Sequence, residues 1–267
     1  MYPDINDLLP GVFLSYRRND SAGHTRNIYE KLIQEIGKDH VFWDIKTPPG
    51  HDFKRIIETK VNSCGVLIAV IGNQWLSAIK ERTNAQRDFV RLEISSALKG
   101  NVAVFPTLVG GAAAPDQVDL PDDIKKLANI NAIELRHTSW DSDVNVLLEN
   151  VKSVSLIKVF LSILSAENLR KISRKEINEN WFFVFALGNT KKFLSEESLL
   201  YKVIKQTHDS LMSEIDEIID RIAGILTVWP IRKLTGKDKE LEAEIQKTID
   251  TYYLDLRKKL ISLLDGE

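Results

Sequence analysis

The run GVLIAVIG, residues 65–72, places six consecutive apolar residues between two glycines. A strand that is covered on both faces has this near-continuous apolar character, whereas a strand with one wet face alternates apolar and polar residues. Similar runs occur in GVFLSY (11–16), HVFWDI (40–45) and NVAVFPTLV (101–109), with a weaker one in NAIEL (131–135). The first half of the chain therefore predicts five strands of a sheet that is buried on both faces.

Helical patterns separate these strands. They cover residues 21–36, 52–62, 87–99, 121–128 and 142–152, and Asp141 or Ser142 is a suitable N-cap for the last. Strands that alternate with helices predict right-handed βαβ units and hence an α/β fold with a parallel sheet. In such a sheet ligands bind beyond the carboxyl ends of the strands, so the residues after each strand are the first candidates for a site.

Glycine and proline are distributed unevenly along the chain. Residues 1–152 hold 9 of the 13 glycines and 7 of the 8 prolines. Frequent breaks suit short alternating elements, whereas a segment with few breaks suits long helices. We therefore predict an α/β domain over residues 1–152 and an all-α module over residues 153–267.

Two long apolar seams mark the second half. They are Ile204, Leu211, Ile215, Ile218, Ile222, Ile225 and Trp229, then Leu241, Ile245, Ile249, Tyr252, Leu256, Leu260 and Leu263. With breaks at Pro230 and Gly236, this pattern predicts an antiparallel helical hairpin with a coiled-coil-like seam. Ser173 and Glu176 have the spacing of a capping box. The module either completes the fold or serves oligomerisation or sensing, and the length of the seams favours the second.

The totals exclude several classes of protein. The chain of 267 residues is 43% hydrophobic and 28% charged with a net charge of −2, so no direct nucleic-acid partner is expected. With a single cysteine, Cys64, no intramolecular disulfide is possible, and the five scattered histidines make a metal site unexpected. No apolar run approaches the roughly 20 residues of a membrane helix, and the N-terminus does not resemble a signal peptide. We expect a soluble, cytoplasmic, metal-free protein.

The common nucleotide and hydrolase motifs are missing from the sequence. It has no GxGxxG after the first strand, no Walker A motif and no GxSxG elbow. The first strand is instead followed by Arg17 and Arg18, which are either solvated or placed to bind phosphate. A response-regulator domain would carry clustered acidic residues there, so this alternative is weak.

Three further stretches each have an ordinary explanation when taken alone. In DFVRLEISSAL (88–98), Phe89 and Glu93 lie one helical turn apart, which a packed ring and a solvated carboxylate would explain. TPPGHDF (47–53) is a stiff turn or a simple connector. Trp43 and Trp75 lie at or near strand ends, where core packing would account for them.

Together these stretches resemble one family. GVFLSYRRND is similar to the first signature box of Toll/interleukin-1 receptor (TIR) domains, and VFWDIKTPPGHDF to their second strand and BB loop. DFVRLEI resembles the WxxxE segment that carries the catalytic glutamate of NAD-cleaving TIR domains, with Phe89 in place of Trp. The resemblance covers roughly residues 9–152, is strongest to bacterial TIR proteins, and implies a flavodoxin-like five-stranded parallel sheet.

The resemblance also implies an activity and a site. Glu93 would be the catalytic residue of an NAD+ glycohydrolase, with NAD as substrate and no cofactor. The expected substrate-binding residues are Tyr16, Arg17, Arg18, Trp43, Phe53, Trp75 and Phe89, and the expected assembly loop is Pro48, Pro49 and Gly50. Arg17 and Arg18 would hold the pyrophosphate.

Regulation and role follow from the same resemblance. Self-association through the TIR domain and the C-terminal helices would activate the enzyme, with a trigger molecule or partner protein as a further partner, and the role would be antiviral immunity. Two alternatives stay open. One is an ADP-ribosyl cyclase that makes a cyclic ADP-ribose signal, and the other is a non-catalytic scaffold that acts through homotypic TIR contacts.

Overall fold

The structure is a computed structural model that describes residues 8–44, 52–81, 88–100, 102–163, 186, 189–226 and 234–265. The chain divides into two compact units, one ending at Ser155 and one beginning at Leu156, which are described separately below. Several predicted features lie outside the described residues. They are the loop residues Pro48, Pro49 and Gly50, the capping box of Ser173 and Glu176, and the break at Pro230.

The first unit is built on a sheet of five parallel strands. They are β1 (Gly11–Ser15), β2 (Val41–Phe42), β3 (Cys64–Ile71), β4 (Ala103–Val109) and β5 (Ile133–Leu135). Their order is β2-β1-β3-β4-β5, and every residue of the central strand β3 is buried. This confirms the predicted α/β fold with a flavodoxin-like sheet.

Five α-helices accompany the sheet in the described part of this unit. They are α1 (Arg18–Ile36), α2 (Phe53–Asn62), α3 (Trp75–Glu81), α4 (Phe89–Lys99) and α5 (Trp140–Ile163), of which α5 continues beyond Ser155. Asp52 caps α2 by accepting hydrogen bonds from the backbone N–H groups of Lys54 and Arg55 at 3.0 and 3.3 Å. Asp88 caps α4 through the N–H of Arg91 at 3.2 Å.

Two helix predictions need correction, and one helix was not predicted. The helix predicted over residues 121–128 is only a short 3₁₀ helix, Lys125–Asn129. Asp141 and Ser142 are not caps, because α5 already begins at Trp140. The carboxylate of Asp143 instead accepts hydrogen bonds from the backbone N–H of Arg136 at 2.9 Å and from the hydroxyl of Ser139 at 2.8 Å. Helix α3 was not predicted, because its seven residues give too short a periodic signal.

One part of the core of the first unit lies where β3 and its neighbours meet α2, α3 and α4. Phe13, Leu67, Trp75 and Ile94 are at most 1% exposed within it. Each fully buried side chain of this size stabilises the fold by about 1.5–3 kcal/mol relative to an exposed one. This packing fixes α4 against the sheet, and with it the side chains that α4 presents.

The second unit contains α6 (Leu199–Leu226) and α7 (Leu234–Asp265). Lys259 of α7 donates a hydrogen bond to Thr207 of α6 at 3.3 Å, and Tyr252 of α7 bonds to Glu214 of α6. The later of the two α6 residues contacts the earlier of the two α7 residues. The two helices are therefore antiparallel, as the seams predict. Gly236 does not break the chain, because the backbone from Leu234 on is already helical.

The buried seam of α7 differs from the predicted one at two of the described positions. Ile249, Tyr253, Leu256 and Leu260 are buried at steps of four, three and four, whereas Tyr252 and Leu263 are only half-buried. Ile204, Leu211 and Ile215 are the buried apolar residues of the predicted α6 seam whose side chains are described. Among the described residues, each helix is either too short or too polar to span a bilayer.

We expect Leu256→Ala to destabilise the helical unit and Leu254→Ala to leave it nearly unchanged. Leu256 is fully buried between the helices, so its truncation should cost about 2–5 kcal/mol, whereas Leu254 is 57% exposed and should cost less than about 0.5 kcal/mol. Differential scanning calorimetry of both full-length variants measures the difference. Equal destabilisation by the two variants would show that the helices pack in another register.

Candidate active site

A cleft of about 850 Å³ opens at the carboxyl edge of the sheet. It lies beside the ends of β1 and β3, where the strand order reverses and where ligands bind in open α/β sheets. Its lining comes from the residues that follow β1, from Asp44, and from α2, α3 and α4. The lining includes Tyr16, Arg17, Arg18, Asp20, Phe53, Phe89 and Glu93.

Glu93 places its carboxylate in this cleft from the second turn of α4. Its Oε2 accepts a hydrogen bond from the hydroxyl of Ser15, the last residue of β1, at 2.6 Å. Burial is the largest effect on this carboxyl and raises the pKa of Glu93 to about 8, while the bond from Ser15 and the charge of Arg17 oppose the rise. The site therefore holds a desolvated carboxyl group that is protonated more easily than an ordinary glutamate.

Arg17 is buried with Asp88. Its Nη2 lies 2.6 Å from Asp88 Oδ2, and the two side chains are 6% and 0% exposed. The other oxygen of Asp88 caps α4. The ion pair therefore connects the end of β1 to the first turn of the helix that carries Glu93. Because the guanidinium of Arg17 is already neutralised by Asp88, the expected pyrophosphate role is better filled by Arg18.

Arg18 lies at the mouth of the cleft. Its side chain is 71% exposed and forms an ion pair and hydrogen bond with Asp44, which follows β2. The hydrogen bond and charge of Asp44 raise the pKa of Arg18, and a hydrogen bond that Arg18 donates to the Tyr16 hydroxyl oxygen adds to the effect. An exposed ion pair contributes little to stability, so Arg18 can exchange Asp44 for another anion at small cost.

Asp20, which lines the cleft, connects the ends of β1 and β3. Its carboxylate accepts from the backbone N–H of Gly72 at 2.9 Å and of Gln74 at 2.7 Å, both just after β3. A Cβ atom on Gly72 would lie 2.5 Å from the Asp20 oxygens, so the close approach requires glycine there. The contact fixes the spacing between the β1 and β3 edges of the cleft.

Aromatic side chains form two groups around the cleft. Phe53 of α2 and Phe89 of α4 meet with ring centroids 4.1 Å apart, and both line the cleft. Trp43 stacks on Tyr16 at 5.9 Å and on Tyr29 at 4.7 Å, so it supports Tyr16 and is not itself a lining residue. Trp75 is fully buried in the core and does not line the cleft, which argues against the predicted binding role.

Comparison with known families gives one match. Residues 12–148, more than half of the chain, match the TIR domain family. The chain belongs to the TIR domain family. No curated protein matches it. The residues that line the cleft, including Glu93, all lie within the match, so the cleft is a feature of the TIR domain. Helices α6 and α7 lie outside the match.

The TIR domain brings most of the predicted site residues to one place. Tyr16, Arg17, Arg18, Phe53, Phe89 and Glu93 share the cleft, whereas Trp43 and Trp75 do not line it. Three contributors were not predicted, Ser15, Asp20 and Asp88. A serine that ends an apolar strand is the one sequence signal that points to a buried polar partner. Among the residues whose positions are described, no group of acidic, histidine or cysteine side chains is arranged to hold a metal ion.

Glu93→Gln should change how the stability of the TIR domain depends on pH. Folding raises the pKa of Glu93 to about 8 from an unfolded value of about 4.3, so the folded state holds a proton that the unfolded state loses across this interval. The contribution of this proton to the free energy of unfolding is fully present below the pKa of the unfolded state and is lost as pH rises towards 8. We expect the stability of the variant relative to the wild type to rise with pH, by on the order of 3 kcal/mol between pH 5 and pH 8.5.

Thermal unfolding between pH 5 and 9 measures this difference. The matched control is Glu134→Gln, which alters an exposed glutamate on β5 outside the cleft. Its melting curve should follow the wild type at every pH. Parallel pH profiles for Glu93→Gln and wild type would mean that the carboxylate is ionised in the folded protein at ordinary pH.

Proposed function

We propose that this protein cleaves the bond between nicotinamide and ribose in NAD+, with Glu93 as the catalytic residue. The observation that supports the proposal most directly is the position of the Glu93 carboxylate. It lines the cleft at the carboxyl edge of the sheet, is held by Ser15 at 2.6 Å, and lies one helical turn from the exposed ring of Phe89. A solvated surface glutamate has none of these features.

One carboxylate is sufficient for this reaction. The glycosidic bond breaks with its electron pair passing to the pyridinium nitrogen, so nicotinamide leaves as a neutral molecule and needs no general acid. The anomeric carbon then has oxocarbenium character, as in glycoside cleavage. A preorganised carboxylate beside that carbon stabilises the developing positive charge. Water adds to the carbon and loses a proton, giving ADP-ribose, or an adenine nitrogen adds and gives a cyclic product.

The charges of the cleft suit the two ends of such a substrate. Arg18 can exchange Asp44 for the pyrophosphate, to which a guanidinium binds through paired hydrogen bonds. Phe53 and Phe89 offer ring faces and edges for an aromatic base or nicotinamide. The pyridinium cation of bound NAD+ favours the ionised form of Glu93, and so offsets the rise of its pKa to about 8 in the free protein.

We further propose that assembly controls the activity, in a bacterial antiviral role. This proposal rests on the resemblance to NAD-cleaving TIR proteins, in which the BB loop of a neighbouring domain completes the site. Here that loop corresponds to Pro48, Pro49 and Gly50. The antiparallel pair of α6 and α7, which lies outside the TIR match, is the segment available for self-association or for sensing a trigger.

Glu93→Gln should abolish release of nicotinamide from NAD+ while the fold is retained. The amide keeps the shape of the side chain but cannot carry the negative charge that the transition state needs, so the rate should fall at least about 100-fold. Purified protein is incubated with NAD+ at low and at high protein concentration with a crowding agent. Nicotinamide, ADP-ribose and cyclic ADP-ribose are separated by chromatography.

The control is Glu134→Gln, which should keep the wild-type rate because Glu134 is exposed and outside the cleft. A rate that rises with concentration supports control by assembly, and the chromatogram separates linear from cyclic product. If a sample that light scattering shows to be assembled releases no nicotinamide, the catalytic proposal fails and a scaffold role takes its place.

A further inference from the structure

Ser15 is the polar end of an apolar strand. Strand β1 has the sequence GVFLS, all five residues are buried, and Ser15 is 1% exposed. Its backbone is in register with Ala69 of the central strand β3, so the position of its side chain is fixed by the sheet. A hydroxyl that is removed from water needs a hydrogen-bond partner. The partner of Ser15 is a carboxylate oxygen of Glu93, 78 residues further along the chain.

Ser15 acts on the Glu93 carboxylate as an uncharged hydrogen-bond donor. Within the described part of the chain, it is the one side chain that donates a hydrogen bond to Glu93. The charged groups around Glu93 come from three other places and oppose one another. Arg17 after β1 favours the ionised form, whereas Asp88 at the start of α4 and Asp44 after β2 disfavour it. Arg17 is itself paired with Asp88, so its effect on Glu93 is weakened.

The geometry gives the hydroxyl two effects on Glu93. It donates a hydrogen bond to Oε2, which restricts the rotation of the carboxylate. The other oxygen, Oε1, accepts no hydrogen bond from any described residue. The hydroxyl also stabilises the charged form, because a hydrogen bond to an ionised oxygen is stronger than one to a neutral oxygen. Both effects act on the state that the proposed reaction needs, a charged carboxylate with one oxygen available to the substrate.

We propose that Ser15 is a positioning residue for Glu93, whose hydroxyl orients the carboxylate and favours its ionised form for NAD+ cleavage. The inference rests on the proposed function, but the contact on which it is built does not. Nothing in the sequence motifs assigns a role to this serine. Its loss should therefore reduce turnover in a way that depends on pH, which a purely structural serine would not do.

The test compares Ser15→Ala with wild type over a range of pH. Loss of the hydrogen bond should raise the midpoint of the acid limb of the kcat/KM profile by about one pH unit. A hydrogen bond to a charged group stabilises the charged form by an amount that corresponds to about one pKa unit. Turnover of NAD+ at pH 7 should then fall about tenfold, and at pH 9.5 should lie within about twofold of wild type. Ser15→Thr, which keeps the hydroxyl, should restore the acid limb.

The matched control is Ser96→Ala. Ser96 is a buried serine of the same helix as Glu93, but its hydroxyl donates to the backbone carbonyl of Leu92 at 2.7 Å and lies outside the cleft. Its pH profile should follow the wild type. Should Ser15→Ala fail to fold, Ser15→Cys keeps nearly the same volume with a weak donor and should shift the acid limb in the same direction.

A second measurement separates this inference from the proposed function. The Glu93 carboxyl is titrated by ¹³C NMR in protein labelled at glutamate, and its signal is assigned by its loss in Glu93→Gln. A higher midpoint in Ser15→Ala supports the positioning role even if the protein does not cleave NAD+. An unchanged midpoint, or a loss of turnover that is the same at every pH, would overturn it.

Discussion

The site depends on the buried ion pair between Arg17 and Asp88. It joins the end of β1 to the cap of α4, and so sets the distance between the strand that carries Ser15 and the helix that carries Glu93. Both side chains are almost without exposure, so neither charge has water to replace its partner. Breaking such a pair leaves an uncompensated buried charge, which costs about 3–5 kcal/mol. The contact between Ser15 and Glu93 can therefore be short without being a chance approach of two flexible side chains.

Placing Glu93 in the cleft has an electrostatic consequence. Removal of water from the carboxyl raises its pKa to about 8, and the nearby Asp88 and Asp44 add to the rise. A residue selected for stability alone would be apolar at this position, or would reach solvent. A carboxyl group that is destabilised when charged is, however, well suited to a cation, because a positive ligand recovers the missing interaction. The site thus carries a local cost in folding that a positive ligand would offset.

The sequence predicted the fold well because β1, β3 and β4 are long apolar runs whose pattern admits few alternatives. Elements with short signals were missed or misjudged: α3 has seven residues, and the stretch at 121–128 is only a 3₁₀ turn. The position of Glu93 could be inferred from motif resemblance. The contacts of Ser15, Asp20 and Asp88 could not, because they join residues 52 to 78 positions apart and depend on the spacing of strand ends. Trp75 shows the opposite error, since a large ring near a strand end can belong to the core.

The two adjacent arginines illustrate why type and position alone do not assign a role. Arg17 and Arg18 are neighbours in sequence and have the same chemistry, but Arg17 is 6% exposed and Arg18 is 71% exposed. The strand ends at Ser15, and helix α1 begins at Arg18, so the turn between them sends the two side chains into different surroundings. The buried pair with Asp88 is costly to exchange, whereas the exposed pair with Asp44 is not. Arg17 therefore has a structural role in the site, whereas the side chain of Arg18 is accessible to an anionic ligand.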